Sequence, residues 1–384
     1  MRALHIGAGN LYGGLETFLF TLARYCHLCP DITPEFALCF DGRLERELIS
    51  QGVPFHGLGE VRICYPVSVR RARRRLREIL VGCRFDAVVC HGIWTQVIFG
   101  PAVQRTGVPL VLWAHGTVDG RYWLERWARR IKPALILCNS RFTARTLSTV
   151  YPGVKTEVIY YPVAPGLVEP GTREAVRCEL ETAPEAVVIV QVSRLEEWKG
   201  HRTLLSGLAL LRDVPGWTCW IVGGVQRAKE APYLQSLKNL AADLQISDLI
   251  RFVGQRSDVP RLLAAADVFC QPNGGPEPFG IVFVEALYAG LPVVATAIGG
   301  AQEIVDGSCG RLVRPADAAA LRDGLAELVG SSRMRQRLGS RGPARARALC
   351  NPKQQLLRMR TVLSSLGVSA DVHGGPEVAQ AFMS

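Results

Sequence analysis

Short apolar runs and amphipathic segments alternate along almost the whole chain, and this rhythm leaves few folds open. In the first half the strand-like runs are RALHIG, EFALCF, VPFHGL, DAVVCHG, LVLWAHG, ALILCNS and TEVIYYP. In the second half they are VVIVQVSRL, TCWIVGG, IRFVGQ, DVFCQPN, PVVATAIGG and GRLVRP. Strands spaced by helical patterns imply parallel sheets covered by helices on both faces. The rhythm breaks at YYPVAPGLVEPGTRE (160–174), whose prolines and glycines mark a linker. The expected fold class is α/β: two doubly wound, Rossmann-like domains facing each other across a cleft. They are expected over residues 1–162 and 175–350, joined by 163–174. Ligands of such sheets bind beyond the carboxyl ends of the strands. Residues 367–384, GVSADVHGGPEVAQAFMS, read as a disordered tail.

Composition narrows the setting. The chain has 384 residues, 21% charged and 48% apolar, as in a globular protein with sizeable cores. No stretch approaches the roughly 18 uncharged apolar residues of a spanning helix, and no signal-peptide pattern opens the chain. A cytoplasmic location is expected. The 12 cysteines are scattered singly through apolar strands (Cys39, Cys90, Cys138, Cys219, Cys270) and read as reduced core residues. CHLC at 26–29 has no second pair to complete a metal site. The net charge of +11 suits phosphates or an anionic membrane, while no zinc-finger spacing or RNA-binding aromatic motif is visible.

The first glycine turn, HIGAGNLYGG, raises the possibility of a dinucleotide site. Gly7, Gly9, Gly13 and Gly14 permit positive φ and close approach of backbone to a ligand. Helical spacing follows from Glu16 to Tyr25, so a helix N-terminus is available to an anion. However, Tyr12 occupies the sixth position of G-x-G-x-x-G, and Asp41 comes too late to be the ribose-binding acid. The turn reads as a phosphate-approach turn of another kind, and a nicotinamide-dependent oxidoreductase is the rival reading.

Three motifs lie in the second half. SRLEEWKG (193–200) puts Arg194 and Lys199 at the end of a strand, where a phosphate would sit. GQRSDVPRLLAAADVFCQPN (254–273) reads as strand end, turn, helix and strand, beginning at Gly254. PNGGPEPFGIVFVEALYAGLPVVAT (272–296) is the most specific. Pro276 and Pro278 push Gly275 and Glu277 into extended backbone, so Glu277 lies in a loop. A helix then starts near Gly280, and the N–H groups of Phe279, Gly280 and Ile281 are expected to face an anion. Glu277 and Glu285 are separated by a loop and a helix start, so they hold two ends of one elongated ligand rather than forming a facing pair.

The glutamate-x7-glutamate spacing, SRLxxxKG, EALYAGLPVVAT and GGxxEIV (299–305) resemble glycosyltransferase family 4 over about residues 1–350. The amino half carries the resemblance only through its glycine turn, WAHG and CNSRFTARTL. The resemblance implies a retaining, metal-independent GT-B hexosyltransferase that uses a nucleotide sugar, a UDP-sugar first and a GDP-sugar as the alternative. It implies that Arg194 and Lys199 hold the donor diphosphate, Glu277 meets the donor sugar and Glu285 binds the ribose hydroxyls. It brings a glycine of the first turn, Gly14 or its neighbour Gly13, to the phosphate, and His115 near the donor sugar and acceptor. It implies that the amino domain receives the acceptor and that a helix over 351–366 crosses back to that domain. Pro278, where many relatives have glycine, stiffens the loop. No D-x-D triplet occurs, and two basic residues with a helix N-terminus can take a metal's place at the leaving diphosphate.

VRICYPVSVRRARRRLREIL (61–80) contains seven arginines. From Val69 to Leu80 it predicts a helix with Val69, Ala72, Leu76, Ile79 and Leu80 on one side and Arg70, Arg71, Arg74, Arg75 and Arg77 over most of the rest. The arginine run, 62–77, is a candidate surface for anionic lipid headgroups, and RYWLERWARRIK adds Trp123 and Trp127 one helical turn apart. The expected acceptor is a lipid-linked or other sugar-containing molecule, with peripheral attachment to the inner face of the plasma membrane. A soluble acceptor is the alternative, and nucleic acid is not expected. His5 and His91 read as core histidines, and Asn139 and Ser140 as caps of a helix starting at Arg141.

Overall fold

The computed structural model describes residues 1–9 and 13–366. The expected tail at 367–384 and the fingerprint position Tyr12 lie outside the described residues. Two compact units divide the chain. The first comprises Met1–Cys138, Thr146–Ile159 and the chain from Lys353 on; the second comprises Asn139–Arg145 and Tyr160–Pro352.

The first unit is built on strands β1 (Arg2–Gly7), β2 (Thr33–Leu38), β3 (Phe55–Gly57), β4 (Ala87–His91), β5 (Leu110–Ala114), β6 (Leu135–Cys138) and β7 (Thr156–Val158). They form one parallel sheet in the order β3-β2-β1-β4-β5-β6-β7. Helices α1 (Gly14–Tyr25), α2 (Arg43–Ser50), α3 (Pro66–Gly82), α4 (Ile93–Gln104) and α5 (Trp123–Ala128) fill its crossovers, and α6 (Arg141–Leu147) follows β6. Leu4 and Ile6 face a core with Ala72, Leu76 and Leu80 of α3 and Ile98 and Phe99 of α4. The intervening residues Ala3 and His5 point to the other side, as the two-residue period of a strand requires.

Helix α3 begins three residues before the expected Val69. Pro66 sits at its first turn, where a missing N–H costs nothing and its fixed φ favours the helix. Its apolar side is buried as expected, and Arg70, Arg71, Arg74, Arg75 and Arg77 are exposed. Arg73 differs from its neighbours. Its guanidinium turns inward and donates to the carbonyls of Ile98 (2.5 Å) and Val97 (3.2 Å).

The second unit holds β8 (Val187–Val192), β9 (Trp217–Val222), β10 (Ile250–Gly254), β11 (Val268–Gln271), β12 (Val293–Thr296) and β13 (Gly310–Val313), parallel in the order β10-β9-β8-β11-β12-β13. Its helices are α7 (Thr172–Glu179), α8 (His201–Ala209), α9 (Ala231–Asp243), α10 (Val259–Ala265), α11 (Ile281–Tyr288), α12 (Ala301–Ile304), α13 (Ala318–Gly330), α14 (Ser332–Gly339) and α15 (Gly342–Cys350). One face of the sheet packs Ile189, Cys219 and Cys270 against Leu204, Leu208, Leu321 and Leu325. Arg177 and Arg173 grip Asp267 at 2.6 and 2.7 Å, tying α7 to the start of β11. Helix α16 (Pro352–Ser364) returns the chain to the first unit, where Arg360 meets Asp31 at 2.9 Å.

Ser140 caps α6 as expected, accepting the Thr143 N–H at 3.0 Å, and its own hydroxyl donates to the Pro278 carbonyl at 2.5 Å. Glu303, from the GGxxEIV motif, accepts the N–H groups of Arg141 and Phe142 (3.0 and 2.8 Å). All 12 cysteines are free thiols. Among the described residues no helix is long and apolar enough to cross a membrane.

Candidate functional site

In each sheet the strand order reverses once, and ligands of such sheets bind outside the carboxyl ends of the two strands that meet there. In the second unit these strands are β8 and β11. The turn after β8 carries Arg194 and Lys199 and ends at Gly200, whose φ is 75°. A Cβ there would lie 1.8 Å from the Pro272 carbonyl oxygen, so only glycine lets the two turns touch.

The turn after β11 is strapped from both sides. The Gly274 N–H donates to Trp198 O (2.8 Å), the Gly300 N–H to Glu277 O (2.7 Å) and Thr296 Oγ1 to Asn273 O (2.8 Å). At Gly299, with φ 64°, a Cβ would fall 2.3 Å from Glu277 O. The two glycines of GGxxEIV are thus the bed on which Glu277 lies.

These constraints bring Lys199 and Glu277 together. Lys199 Nζ donates to Glu277 Oε2 at 2.5 Å and lies 4.0 Å from the Trp198 ring centre. Asn273 Nδ2 approaches the same oxygen at 3.4 Å. The lysine and glutamate side chains are only 11% and 14% exposed. Arg194 is more open. Its Nη1 lies 2.9 Å from Glu196 Oε1, while Trp198 Nε1 donates to Glu196 Oε2 at 2.9 Å and Arg227 lies 3.7 Å away. Sequence reasoning missed Glu196 and Arg227. Glu196 was visible inside SRLEEWKG, but nothing local to Arg227 ties it to that motif.

Helix α11 starts at Ile281, with Gly280 before it at φ 98°. A Cβ at Gly280 would strike the Phe283 ring at 2.3 Å. The side chain of Phe279 is buried against Tyr160 and Tyr161, with ring centres 5.7 and 5.1 Å apart, and anchors the helix start. Glu285, in the second turn, lines a cavity of about 270 Å³ with Pro260, Leu263, Ala264 and Tyr288. Burial pushes its carboxyl up to about 7. Gly254 closes β10 at φ 79°, its carbonyl accepting the Gly223 N–H at 2.9 Å.

In the first unit the reversal lies between β1 and β4. Gly13 is extended (φ −158°) and precedes α1, which starts at Gly14. The Gly13 N–H donates to Glu16 Oε2 at 3.1 Å. Of the described glycines in this turn, Gly9 alone has positive φ, at 88°. His115 follows β5 and lines a cavity of about 220 Å³ with Gly92, Thr117, Val118 and Tyr122. His115 Nε2 lies 2.8 Å from His91 Nδ1, and His91 Nε2 lies 2.9 Å from His5 Nδ1. Burial pushes His5 and His115 down to about 3 and His91 well below its ordinary value. His5 and His91 are therefore core residues as read, but they form a chain with His115 that no local pattern announced. No group of three or more metal-ligating side chains among the described residues could hold a metal ion.

Comparison with known proteins agrees with this geometry. Residues 172–345 match the family model of glycosyl transferases group 1, and residues 12–166 match that of glycosyltransferase family 4. The chain is 31% identical over 360 residues to the D-inositol 3-phosphate glycosyltransferase of Nocardia farcinica, covering 87% of this chain and 77% of that protein. It is 34% identical over 210 residues to the lipopolysaccharide core biosynthesis glycosyltransferase LpsE of Rhizobium meliloti, covering 54% of this chain and 57% of that protein. The crystal structure of Anabaena HepE in complex with UDP-glucose superposes with a TM-score of 0.83 at 25% identity, over 95% of this chain and 100% of that one. These matches, with the two parallel sheets, place the chain in the group 1, family 4 glycosyltransferases, with the GT-B fold.

Proposed function

We propose that this glycosyltransferase moves a hexosyl group, with retention of configuration, from a nucleoside-diphosphate sugar to a saccharide or glycolipid acceptor of cell-surface synthesis. The donor is a UDP-sugar, with GDP-sugars as the competing class. The observation that carries this reading is the Lys199–Glu277 contact at the reversal of the second sheet. It supports the reading because a lysine suited to a diphosphate lies beside a carboxylate suited to a sugar.

In this mechanism Lys199 and Arg194 bind the donor diphosphate and meet the charge that develops on it as the glycosidic bond breaks. The start of α11 at Gly280 and Ile281 adds its N-terminal dipole, and Gly13 and Gly14 form a phosphate-approach turn of the first unit. Glu277 orients the sugar hydroxyls. Glu285 accepts hydrogen bonds from the ribose, and Gly254 and Phe279 shape the surrounding backbone. His115 contacts the donor sugar and the acceptor. The acceptor hydroxyl attacks from the face the diphosphate leaves, and a donor phosphate oxygen takes its proton. No metal is required.

The acceptor side uses the first unit. Tyr122, Trp123 and Trp127 are 55, 48 and 42% exposed, and α3 presents its arginines to solvent. Indole rings with arginines suit a headgroup boundary, so the enzyme acts as a peripheral protein on a cytoplasmic anionic leaflet.

Thermal-shift measurements against UDP- and GDP-sugars test the donor assignment, since a ligand at 100 times its Kd stabilises by about 2.7 kcal/mol. NMR of the product's anomeric configuration tests retention. Absence of a shift with any nucleotide sugar, or an inverted product, refutes the reading.

A further inference from the structure

Glu196, in the turn after β8, carries three partners on one carboxylate. Its Oε1 lies 2.9 Å from Arg194 Nη1 and 3.7 Å from Arg227 Nη2, and its Oε2 accepts the Trp198 Nε1–H at 2.9 Å. The turn is closed on itself: the Glu196 N–H donates to Arg194 O and the Lys199 N–H to Glu196 O, both at 2.9 Å. The Glu196 side chain is only 22% exposed. The next residue, Glu197, is exposed and forms no ion pair among the described residues.

Arg227 reaches Glu196 from the turn after β9, and that turn holds it firmly. Arg227 Nε donates to Glu230 Oε1 at 2.9 Å, while Glu230 Oε2 accepts the N–H groups of Gln226 (2.8 Å) and Arg227 (3.3 Å). Gly223 lets this turn press on the one after β8, since a Cβ there would lie 2.0 Å from Ser193 O. Charge therefore alternates along Glu230, Arg227, Glu196 and Arg194. Without Glu196, two guanidiniums that share one oxygen would face and repel each other.

Trp198 carries the effect to the second cation. Lys199 Nζ lies 4.0 Å from the indole ring centre, and Trp198 O accepts the Gly274 N–H at 2.8 Å. Tethering the indole at Nε1 fixes the face on which the ammonium rests.

We infer that Glu196, held by Arg227, is a positioning residue of the donor site: it fixes Arg194 directly and Lys199 through Trp198. The inference rests on the proposed binding of a donor diphosphate by Arg194 and Lys199, and deepens it. A guanidinium already held at one nitrogen loses less rotamer freedom when phosphate oxygens bind its other N–H groups. The Glu196 carboxylate itself repels phosphate, so its charge alone and its positioning role predict opposite changes when it is removed.

The test is calorimetry of the full chain with UDP and GDP, alongside proton–nitrogen NMR of the indole groups. Glu196→Gln should lower UDP affinity about 10-fold. Glu197→Gln removes the same charge one residue away and should not lower it. Unchanged or higher UDP affinity in Glu196→Gln overturns the inference, because that is the result charge alone gives. Arg227→Ala should lower UDP affinity as well, and Arg227→Lys, which keeps a cation opposite Glu196, should retain more of it. Equal losses in these two variants overturn the part given to Arg227, and this pair decides the matter if Glu196→Gln does not fold. The Trp198 indole N–H signal, assigned with Trp198→Phe, should move upfield in Glu196→Gln while those of the other tryptophans stay in place. A Trp198 signal that does not move overturns the tether, whereas a general loss of fold moves all seven. A wild type that binds UDP beside a Glu196→Gln variant that binds it equally well removes this inference alone. A wild type that binds neither UDP nor GDP removes the functional reading, and this inference with it.

Discussion

The Lys199 ammonium and the Glu277 carboxylate, 78 residues apart in sequence, meet at 2.5 Å where the turns after β8 and β11 touch. A pair this enclosed holds each partner mostly through the other, and removing one leaves the other's charge uncompensated. On the proposed function, diphosphate binding therefore competes with Glu277 for Lys199. Glu277→Gln should leave UDP affinity unchanged or raised and lower turnover about 10²-fold, because the sugar loses its orienting contact. Lys199→Ala should lose about 1.5–3 kcal/mol of UDP binding, the worth of a charged hydrogen bond. Calorimetry with UDP and single-turnover rates on both variants check this. A loss of UDP affinity in Glu277→Gln as large as in Lys199→Ala contradicts it.

Glu285 should behave differently. Its carboxyl is pushed up to about 7 by burial, above the unfolded value of about 4.5. The folded protein therefore holds that proton more tightly than the unfolded chain, and the group's contribution to stability is lost as pH rises from about 4.5 through 7. Glu285→Gln should gain in Tm relative to wild type between pH 5 and 8. Binding of UDP to the wild type should strengthen over the same rise, as the carboxylate forms, and the variant should flatten that dependence. A Tm difference that does not change with pH rules this out.

Gly200 tests the backbone contact beneath the pair. Its φ of 75° and the 1.8 Å approach a Cβ would make to Pro272 O both oppose a side chain. Gly200→Ala should cost at least about 2 kcal/mol in urea unfolding. Gly171→Ala is the control. Its φ of 78° is similar, but a Cβ there meets nothing within 4 Å, so it should cost less.

The arginine face of α3 should bind anionic vesicles. Each basic residue near such a leaflet contributes about 1 kcal/mol, so reversing Arg71, Arg74 and Arg75 to Glu should weaken vesicle binding at least about 100-fold. Nucleotide binding should be intact. Arg73 is left unchanged because its guanidinium serves the Val97 and Ile98 carbonyls. Equal sedimentation of wild type and variant with the vesicles removes the headgroup surface.

Chelation should leave most activity intact. In the proposed mechanism Lys199, Arg194 and the N-terminus of α11 supply the positive field that a metal would otherwise bring to the leaving diphosphate. Assays in excess EDTA check this, and a complete loss restored by a divalent cation contradicts it.

The alternation of apolar runs with amphipathic segments was enough to determine two parallel α/β sheets, because strands covered on both faces must be apolar along their whole length. The motifs at 193–200 and 272–296 were legible for a similar reason: prolines and glycines declare local backbone wherever they occur. Local pattern also has limits. The helical period of the arginine run suggested a start at Val69, while Pro66 and Tyr65 set the true start, and nothing in the run distinguished Arg73 from Arg74. Tertiary structure alone decided that Lys199 meets Glu277, that Glu196 gathers Arg194, Trp198 and Arg227, and that His5, His91 and His115 form one chain. Each of these depends on which strands lie side by side and on how far each turn extends beyond its strand. A segment's own side chains set its period. They do not carry the order β2-β1-β4-β5 or β9-β8-β11-β12 that brings distant turns to the same end of a sheet.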